Sequence, residues 1–255
     1  MTRSPFMPLL LAAASAGIAA APVAAQVPAA PIKSTAEDEA EQRLHTDWAW
    51  LGRYREANAA LVPSAAPRIV FIGDSITQGW IDKLPGFFTP DRVNRGIGGQ
   101  TTSQMLLRFR QDVIALKPAA VQIMGGTNDI AGNTGPMTAE DTQANIMSMA
   151  ELARAHGIRV ILASIPPADH FPWRPGLETA GKIARLNAWL RRYAAETGAL
   201  YADYWGALHE GDALKPALTY DGVHPNDAGY RAMGPVAEAV IRAALAKPAP
   251  KGLAR

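Results

Sequence analysis

The feature that most constrains this chain is an alternation of strand-like and helix-like segments. Short runs at residues 68–72, 92–94, 119–124, 159–164 and 199–202 read as strands, and RIVFI at 68–72 has the β-branched, apolar look of a buried one. Between and after them the period changes. Residues 102–116, 139–156 and 181–197 read as helices. In the second, Ile146, Met149, Ala150 and Ala153 recur at i, i+3, i+4 and i+7; in the third, Ile183, Leu186, Leu190 and Tyr193 share a face. Gly157 stands where a helix C-terminus favours glycine, and Asn226 can cap a last helix over 227–246. Parallel strands need crossovers about as long as a helix, and helices on both sides bury both faces of the sheet. The pattern therefore predicts an α/β fold: a three-layer α/β/α sandwich with a flavodoxin-like, five-stranded parallel sheet. A chain of 255 residues can bury the core of one such domain without staples.

The ends read differently. Residues 1–25 have the form of a secretory signal: Arg3 supplies the positive start, residues 7–21 are apolar, and Val23-Ala24-Ala25 offers a small-residue cleavage site. Pro8 and Pro22 bracket a stretch too short for a membrane anchor, since a spanning helix needs about 20 residues. Export to the periplasm or the medium is the expectation. Residues 26–34 read as a Pro/Ala-rich linker, 35–61 as a helical extension broken at 62–67, 68–246 as the main domain and 247–255 as a loose tail. The chain has no cysteine, which excludes disulfides, thiolate metal sites, a cysteine nucleophile and a lipid anchor on an N-terminal cysteine. Its net charge is only +2 and it has no run of five or six like charges, so nucleic acid is not an expected partner.

Four polar, glycine-bearing segments interrupt the alternation, and three directly follow strands. Ligands of open parallel sheets bind beyond the carboxyl ends of the strands. Gly73-Asp74-Ser75 follows the first run, and its glycine suits a sharp turn that projects Ser75 above the sheet. In residues 94–101, Gly96, Gly98 and Gly99 leave backbone N–H groups unshielded, which suits an oxyanion or a phosphate. The spacing fits neither a dinucleotide fingerprint nor a Walker loop. Gly125-Gly126-Thr127-Asn128-Asp129 puts an amide donor, Asn128, at the same rim. In Asp221-Gly222-Val223-His224-Pro225, His224 is a candidate base and Asp221 can accept from the ring N–H that faces away from the serine. Singly, each segment reads equally as a turn, a helix cap or a surface loop. Together they supply the parts of an ester hydrolase: a hydroxyl nucleophile, a base, an orienting acid and oxyanion donors.

The four segments, in this order, resemble the blocks of the SGNH hydrolases, also called the GDSL esterase/lipase family, over residues 68–245. The resemblance implies Ser75 as nucleophile, Asp221 and His224 as its partners, and an oxyanion hole from the Ser75 and Gly99 backbone N–H groups and the Asn128 side chain. It also implies acyl-enzyme hydrolysis of a carboxylic ester with no cofactor and no metal. Among subgroups the chain is most similar to bacterial single-domain acylhydrolases resembling platelet-activating-factor acetylhydrolase. The alternatives are a lysophospholipase- or thioesterase-type acylhydrolase, a metal-dependent phosphoesterase using Asp74, Asn128, Asp129, Asp221 and His224, and a non-catalytic glycan-binding module.

The substrate is read from less. Residues 169–176 follow the fourth strand, and Phe171, Trp173 and Arg174, together with Asp74, are expected to line the cleft. No long apolar segment offers a lid helix. The expected substrate is therefore a small-molecule or glycan ester with a short, acetyl-like acyl group.

Overall fold

The computed structural model describes residues 35–253, so the expected signal peptide and linker at 1–34 lie outside the described residues. The sheet is built from β1 (Ile69–Gly73), β2 (Arg92–Gly96), β3 (Ala120–Met124), β4 (Arg159–Ala163) and β5 (Leu200–Ala202), all parallel, in the order β2-β1-β3-β4-β5. Two short helices, α1 (Ala36–Thr46) and α2 (Arg55–Ala59), precede it. The crossovers use α3 (Ser75–Lys83), α4 (Thr102–Asp112), α5 (Thr127–Ala131), α6 (Ala139–Ala155) and α7 (Ala180–Thr197). After β5 come α8 (Tyr204–Leu208), a hairpin of β6 (His209–Glu210) and β7 (Ala213–Leu214), and α9 (Asp227–Ala246).

Strand alternation divides the core in two. Val70 and Ile72 join Phe109 of α4, Met149 of α6 and Leu190 of α7 on one face. Ile69 and Phe71 join Trp80 of α3, Tyr204 of α8 and Met233 of α9 on the other. Trp80 centres the second face: it stacks on Phe87 at 4.7 Å and meets Phe71 and Tyr204 edge-on. The expected three-layer sandwich is the observed one, and the strand order reverses at β1, between β2 and β3.

Two glycines set the distance between the sheet and α3. A Cβ on Gly73 would lie 2.0 Å from Thr77 Oγ1 and 2.7 Å from the Met124 carbonyl oxygen. A Cβ on Gly96 would lie 2.1 Å from the Gln78 backbone nitrogen. Gly73 does not take a positive φ, so it is there for closeness and not for the sharp turn expected of it.

The ends depart from expectation. Residues 35–61 are not one helix. The Asp47 carboxylate accepts from the backbone N–H groups of Leu51 and Gly52 at 2.6 and 2.9 Å, offering the chain a turn in place of a further helical repeat. Trp50 takes a left-handed φ of 51° there. Nor is the tail loose as far as residue 253. Leu253 N–H donates to the Ala155 carbonyl at 2.8 Å, and Arg159 Nε donates to the Lys247 carbonyl at 2.8 Å, tying the tail across the end of α6.

Beneath the carboxyl edge of the sheet lies Arg108 of α4, fully buried. Its guanidinium donates to the carbonyls of Gly73 (3.0 Å) and Arg95 (2.8 Å), to Gln100 Oε1 (2.6 Å) and to the carboxylate of Asp112 (3.2 Å). Truncating one member of a buried ion pair leaves the other charge unpaired, at a cost of about 3–5 kcal/mol. Arg108→Met should therefore lower the unfolding free energy by about that amount in urea titrations. A loss under about 1 kcal/mol would show that the sheet edge does not depend on this side chain.

Candidate active site

Ser75 is the first residue of α3, immediately beyond β1. Asp74 caps the helix, its Oδ1 accepting from the Ile76 N–H at 3.0 Å. The serine backbone thus sits at a helix N-terminus, and its hydroxyl stands above the sheet. The glycine segment after β2 packs against it: a Cβ on Gly98 would lie 3.7 Å from Ser75 Cβ. Gly98 N–H donates to Gln78 Oε1 of α3 at 2.6 Å, and Gly99 has a φ of +76°.

His224 arrives from the loop that precedes α9. Its Nε2 is 2.9 Å from Ser75 Oγ, and its Nδ1 is 2.7 Å from Asp221 Oδ2. The loop is held by its own short-range bonds. Asp221 Oδ1 accepts from the Val223 and His224 backbone N–H groups at 2.9 and 2.7 Å. Thr219 Oγ1 donates to the His224 carbonyl at 2.7 Å, and Asn226 caps α9 as the sequence suggests. Burial works to raise the Asp221 pKa, but the bonds from His224 and Val223 outweigh it, so the carboxylate stays ionised below its ordinary range.

Asn128 follows β3 and is buried. One of its two amide N–H groups donates to the Gln100 carbonyl at 2.9 Å. Its oxygen accepts from Asn133 Nδ2 at 2.7 Å, and the Asn133 oxygen in turn accepts from Trp173 Nε1 at 3.3 Å. These contacts fix the amide orientation and leave the second N–H able to donate. Behind it, Asp129 accepts from the Thr102 N–H and hydroxyl and from the Thr142 hydroxyl. Burial raises the Asp129 pKa, with those bonds opposing.

The structure thus brings Ser75, His224, Asp221, Gly99 and Asn128 to one rim at the point where the strand order reverses. It separates the four residues expected to line the cleft. Trp173 is exposed there, its ring centroid 6.2 Å from that of His224. Arg174 lies on the same rim, its guanidinium 3.5 Å from where a Gly132 Cβ would stand. Phe171 is in the core, stacked beneath Trp173 at 5.1 Å, so it supports the wall without lining it. Asp74 is buried and its carboxylate is committed to the helix cap, so it too is not a lining residue. With Asp74 and Asp129 so engaged, no three His, Asp or Glu side chains converge among the described residues. Two features escaped the sequence: Tyr220, stacked on His224 at 5.7 Å and 10°, and Asn133. Neither belongs to a motif, and nothing in their neighbours signals the contact.

Comparison with known proteins defines the class. Residues 71–232 match the family model described as GDSL-like Lipase/Acylhydrolase, which makes the protein a serine esterase by class. The chain belongs to this family. A GDSL-like lipase from Bacteroides thetaiotaomicron has a structure that superposes with a TM-score of 0.74 at 46% identity, covering 78% of this chain and all of that one (100%). An acetylxylan esterase of Geobacillus stearothermophilus is 28% identical over 199 residues, 64% of this chain and 88% of that protein. An uncharacterized lipoprotein, YqeF, of Bacillus subtilis is 41% identical over 117 residues; the match covers 39% of this chain and spans about half (48%) of that protein.

Burial pushes the Asp74 carboxyl up from 3.8 to about 6, against the Ile76 N–H bond and the attraction of His224. A folded-state pKa above the unfolded one means that the folded state holds the proton longer. Stability from this group is then full below about pH 4 and is lost as the pH rises through 6. Asp74→Asn keeps the acceptor for Ile76 without the buried charge. The variant should be more stable than the parent at pH 8, by about 1–3 kcal/mol, with the gap closing at pH 4. Urea titrations at the two pH values check this, and an equal gap at both would refute it.

Proposed function

We propose that this protein hydrolyses short-chain, acetyl-like carboxylic esters through a Ser75–His224–Asp221 triad and an acyl-enzyme, with acetylated carbohydrate as the substrate class. The observation that carries the reading is the continuous relay from Ser75 Oγ to His224 Nε2 at 2.9 Å and from His224 Nδ1 to Asp221 at 2.7 Å. His224 Nε2 takes the Ser75 proton as Oγ attacks the ester carbonyl. The oxyanion accepts from the backbone N–H groups of Ser75 and Gly99 and from the second amide N–H of Asn128. On collapse, the alcohol leaves with the proton that His224 holds. Water then attacks the acyl-enzyme, giving its proton to His224, which returns it to Ser75 as the acid departs. Asp221, ionised throughout, holds the imidazole in one tautomer and stabilises the imidazolium.

Two features support a small, polar substrate. The rim around His224 is Trp173, Tyr220, Asn133 and Arg174, a set that suits hydroxylated rings better than a long hydrocarbon chain. The similarity to an acetylxylan esterase points to an acetyl group on a sugar. The site of action is read from residues 1–25: the chain is exported and cleaved after Ala25, in keeping with a lipoprotein relative. No helix among the described residues is long and apolar enough to cross a membrane.

Steady-state kinetics on p-nitrophenyl esters tests the roles. Ser75→Ala or His224→Ala should each lower kcat on the acetyl ester by about 10⁴ to 10⁶, with the double variant little worse, because nucleophile and base act in one step. Asn128→Ala should lower kcat by about 10² to 10³ with KM nearly constant, since its bond strengthens as charge develops. A rise in KM at constant kcat would make Asn128 a ground-state binding residue instead. In the same series the acetyl or butyryl ester should outrun the palmitoyl ester at least about tenfold, or ~1.4 kcal/mol in barrier; the reverse order would overturn the short-acyl reading.

Export has its own check. The mass of the protein recovered from periplasm or medium should correspond to a chain beginning at Gln26. A cytosolic protein still beginning at Met1 would overturn that part of the proposal.

A further inference from the structure

The N-terminal segment is not an appendage to this site. Hydrogen bonds to the glycine segment and to α4 hold it in place, among them these four. The Trp48 carbonyl accepts from Gln104 Nε2 at 2.7 Å and the Ala49 carbonyl from Gln100 Nε2 at 2.8 Å. The Tyr54 hydroxyl donates to the Gly96 carbonyl, and Asn58 Nδ2 donates to Asp112 at 2.7 Å. Ala49 is buried beneath this seam. A segment so fixed loses little further freedom when something binds against it, which is what preorganisation means for affinity.

Between the segment and the glycine loop lies a cavity of about 180 Å³. Arg43, Trp48 and Trp50 form one wall; Gly99, Asn133 and Thr134 lie across from them. The Arg43 guanidinium covers the Trp50 ring at 3.8 Å. Trp48 is 38% exposed, so its ring is open to a molecule in this cavity. The cavity shares Gly99 with the proposed oxyanion hole and Asn133 with the support of Asn128, so whatever fills it is bound beside the reacting carbonyl.

We propose that this cavity is a carbohydrate subsite, holding a sugar ring of the substrate's alcohol portion next to the scissile ester; the inference rests on, and deepens, the esterase reading above. The choice of ligand comes from the lining. A hydrocarbon chain here would take the Arg43 guanidinium out of water, a cost of several kcal/mol in gross terms. A sugar ring presents hydroxyls to that guanidinium and a C–H face to the exposed Trp48 indole, the pairing of apolar body and few convergent polar groups that binding sites use. Further exposed rings, Trp173 and Tyr220, flank His224. Asn133, which lines the cavity, connects it to them, donating to Asn128 and accepting from Trp173. Aromatic rings therefore stand both in the cavity and beside His224, an arrangement that suits a glycan chain running from one to the other.

The test compares two substrates of one acyl group, p-nitrophenyl acetate and an acetylated xylo-oligosaccharide, with Trp48→Ala and Trp48→Phe in the full chain. The ratio of kcat/KM on the oligosaccharide to that on p-nitrophenyl acetate should fall about tenfold or more in Trp48→Ala, through KM, and be largely restored in Trp48→Phe. Deacetylated xylo-oligosaccharide should inhibit hydrolysis of p-nitrophenyl acetate, and the alanine variant should weaken that inhibition by a similar factor. An unchanged ratio with unchanged inhibition would overturn the subsite. So would a ratio unchanged on the oligosaccharide but a shift in acyl-chain preference, which would make the cavity an acyl pocket. Failure of the underlying reading is separately visible, as a parent enzyme that cleaves neither substrate.

Discussion

A single buried guanidinium organises the working edge of this protein. Taking Arg108 out of water is expensive, and it stays buried only because partners surround it. Two of them are backbone carbonyls at the carboxyl ends of β1 and β2, those of Gly73 and Arg95; the third is the side chain of Gln100 and the fourth the carboxylate of Asp112. The Gly73 and Gln100 ends are the two segments that meet at Ser75. Asp112 and Gln100 reach the other way as well, accepting from Asn58 and donating to the Ala49 carbonyl. One charge therefore fixes the Ser75 turn, the glycine loop and the N-terminal segment relative to one another.

The glycine loop needs such help because three of its eight residues, Gly96, Gly98 and Gly99, have no side chain. Those glycines admit the close approach of α3, and the same smallness limits the loop's packing. Much of what holds it comes from outside: Gln78 of α3 from one side, Arg108 from below through the loop's own Gln100, and Tyr54 from the N-terminal segment. Oxyanion donors are effective when they are already in place, since no reorganisation is then needed as charge develops. Three aspartates near the rim show the same division by surroundings. Asp221, hydrogen-bonded to the histidine loop, is kept ionised; Asp74 and Asp129, buried under the strand ends, have raised pKa values and act as caps and anchors.

The sheet and its order of elements were legible because their signal is periodic. A strand buried on both faces must be apolar throughout, as 69–73 is, and a helix covering it must repeat at 3.6 residues, as 139–155 does. The reactive segments were legible mainly because three of them come directly after strands, and parallel strands deliver their C-terminal loops to one edge. The features that stayed hidden were set by contacts between distant residues. Nothing near Asp47 announces that its carboxylate will turn the chain at Trp50. Nothing in Phe171-Pro172-Trp173 says which ring goes into the core and which faces the histidine. Asp74 looks like a site residue because it adjoins Ser75, yet its position as a helix cap turns it inward.

Those hidden features share a location, and this bears on how the fold acquires a substrate. The periodic part of the chain supplies Ser75 and the proposed oxyanion donors, all on ends of strands or at the base of helices. The walls around them come from elsewhere: Trp48 and Trp50 from the segment before β1, Trp173 and Arg174 from the loop after β4, Tyr220 from the turn before α9. The first wall is tied back to the frame by several hydrogen bonds, among them the Trp48 carbonyl to Gln104 and the Ala49 carbonyl to Gln100, and the Trp173 indole is tied through Asn133. Because the Trp48 tie runs through its backbone carbonyl, a side-chain change there leaves the frame's hydrogen bonds in place. By contrast, a change at Arg108 or Gln100 reaches the Ser75 turn and the N-terminal wall together, because both depend on the hydrogen bonds that Arg108 and Gln100 make.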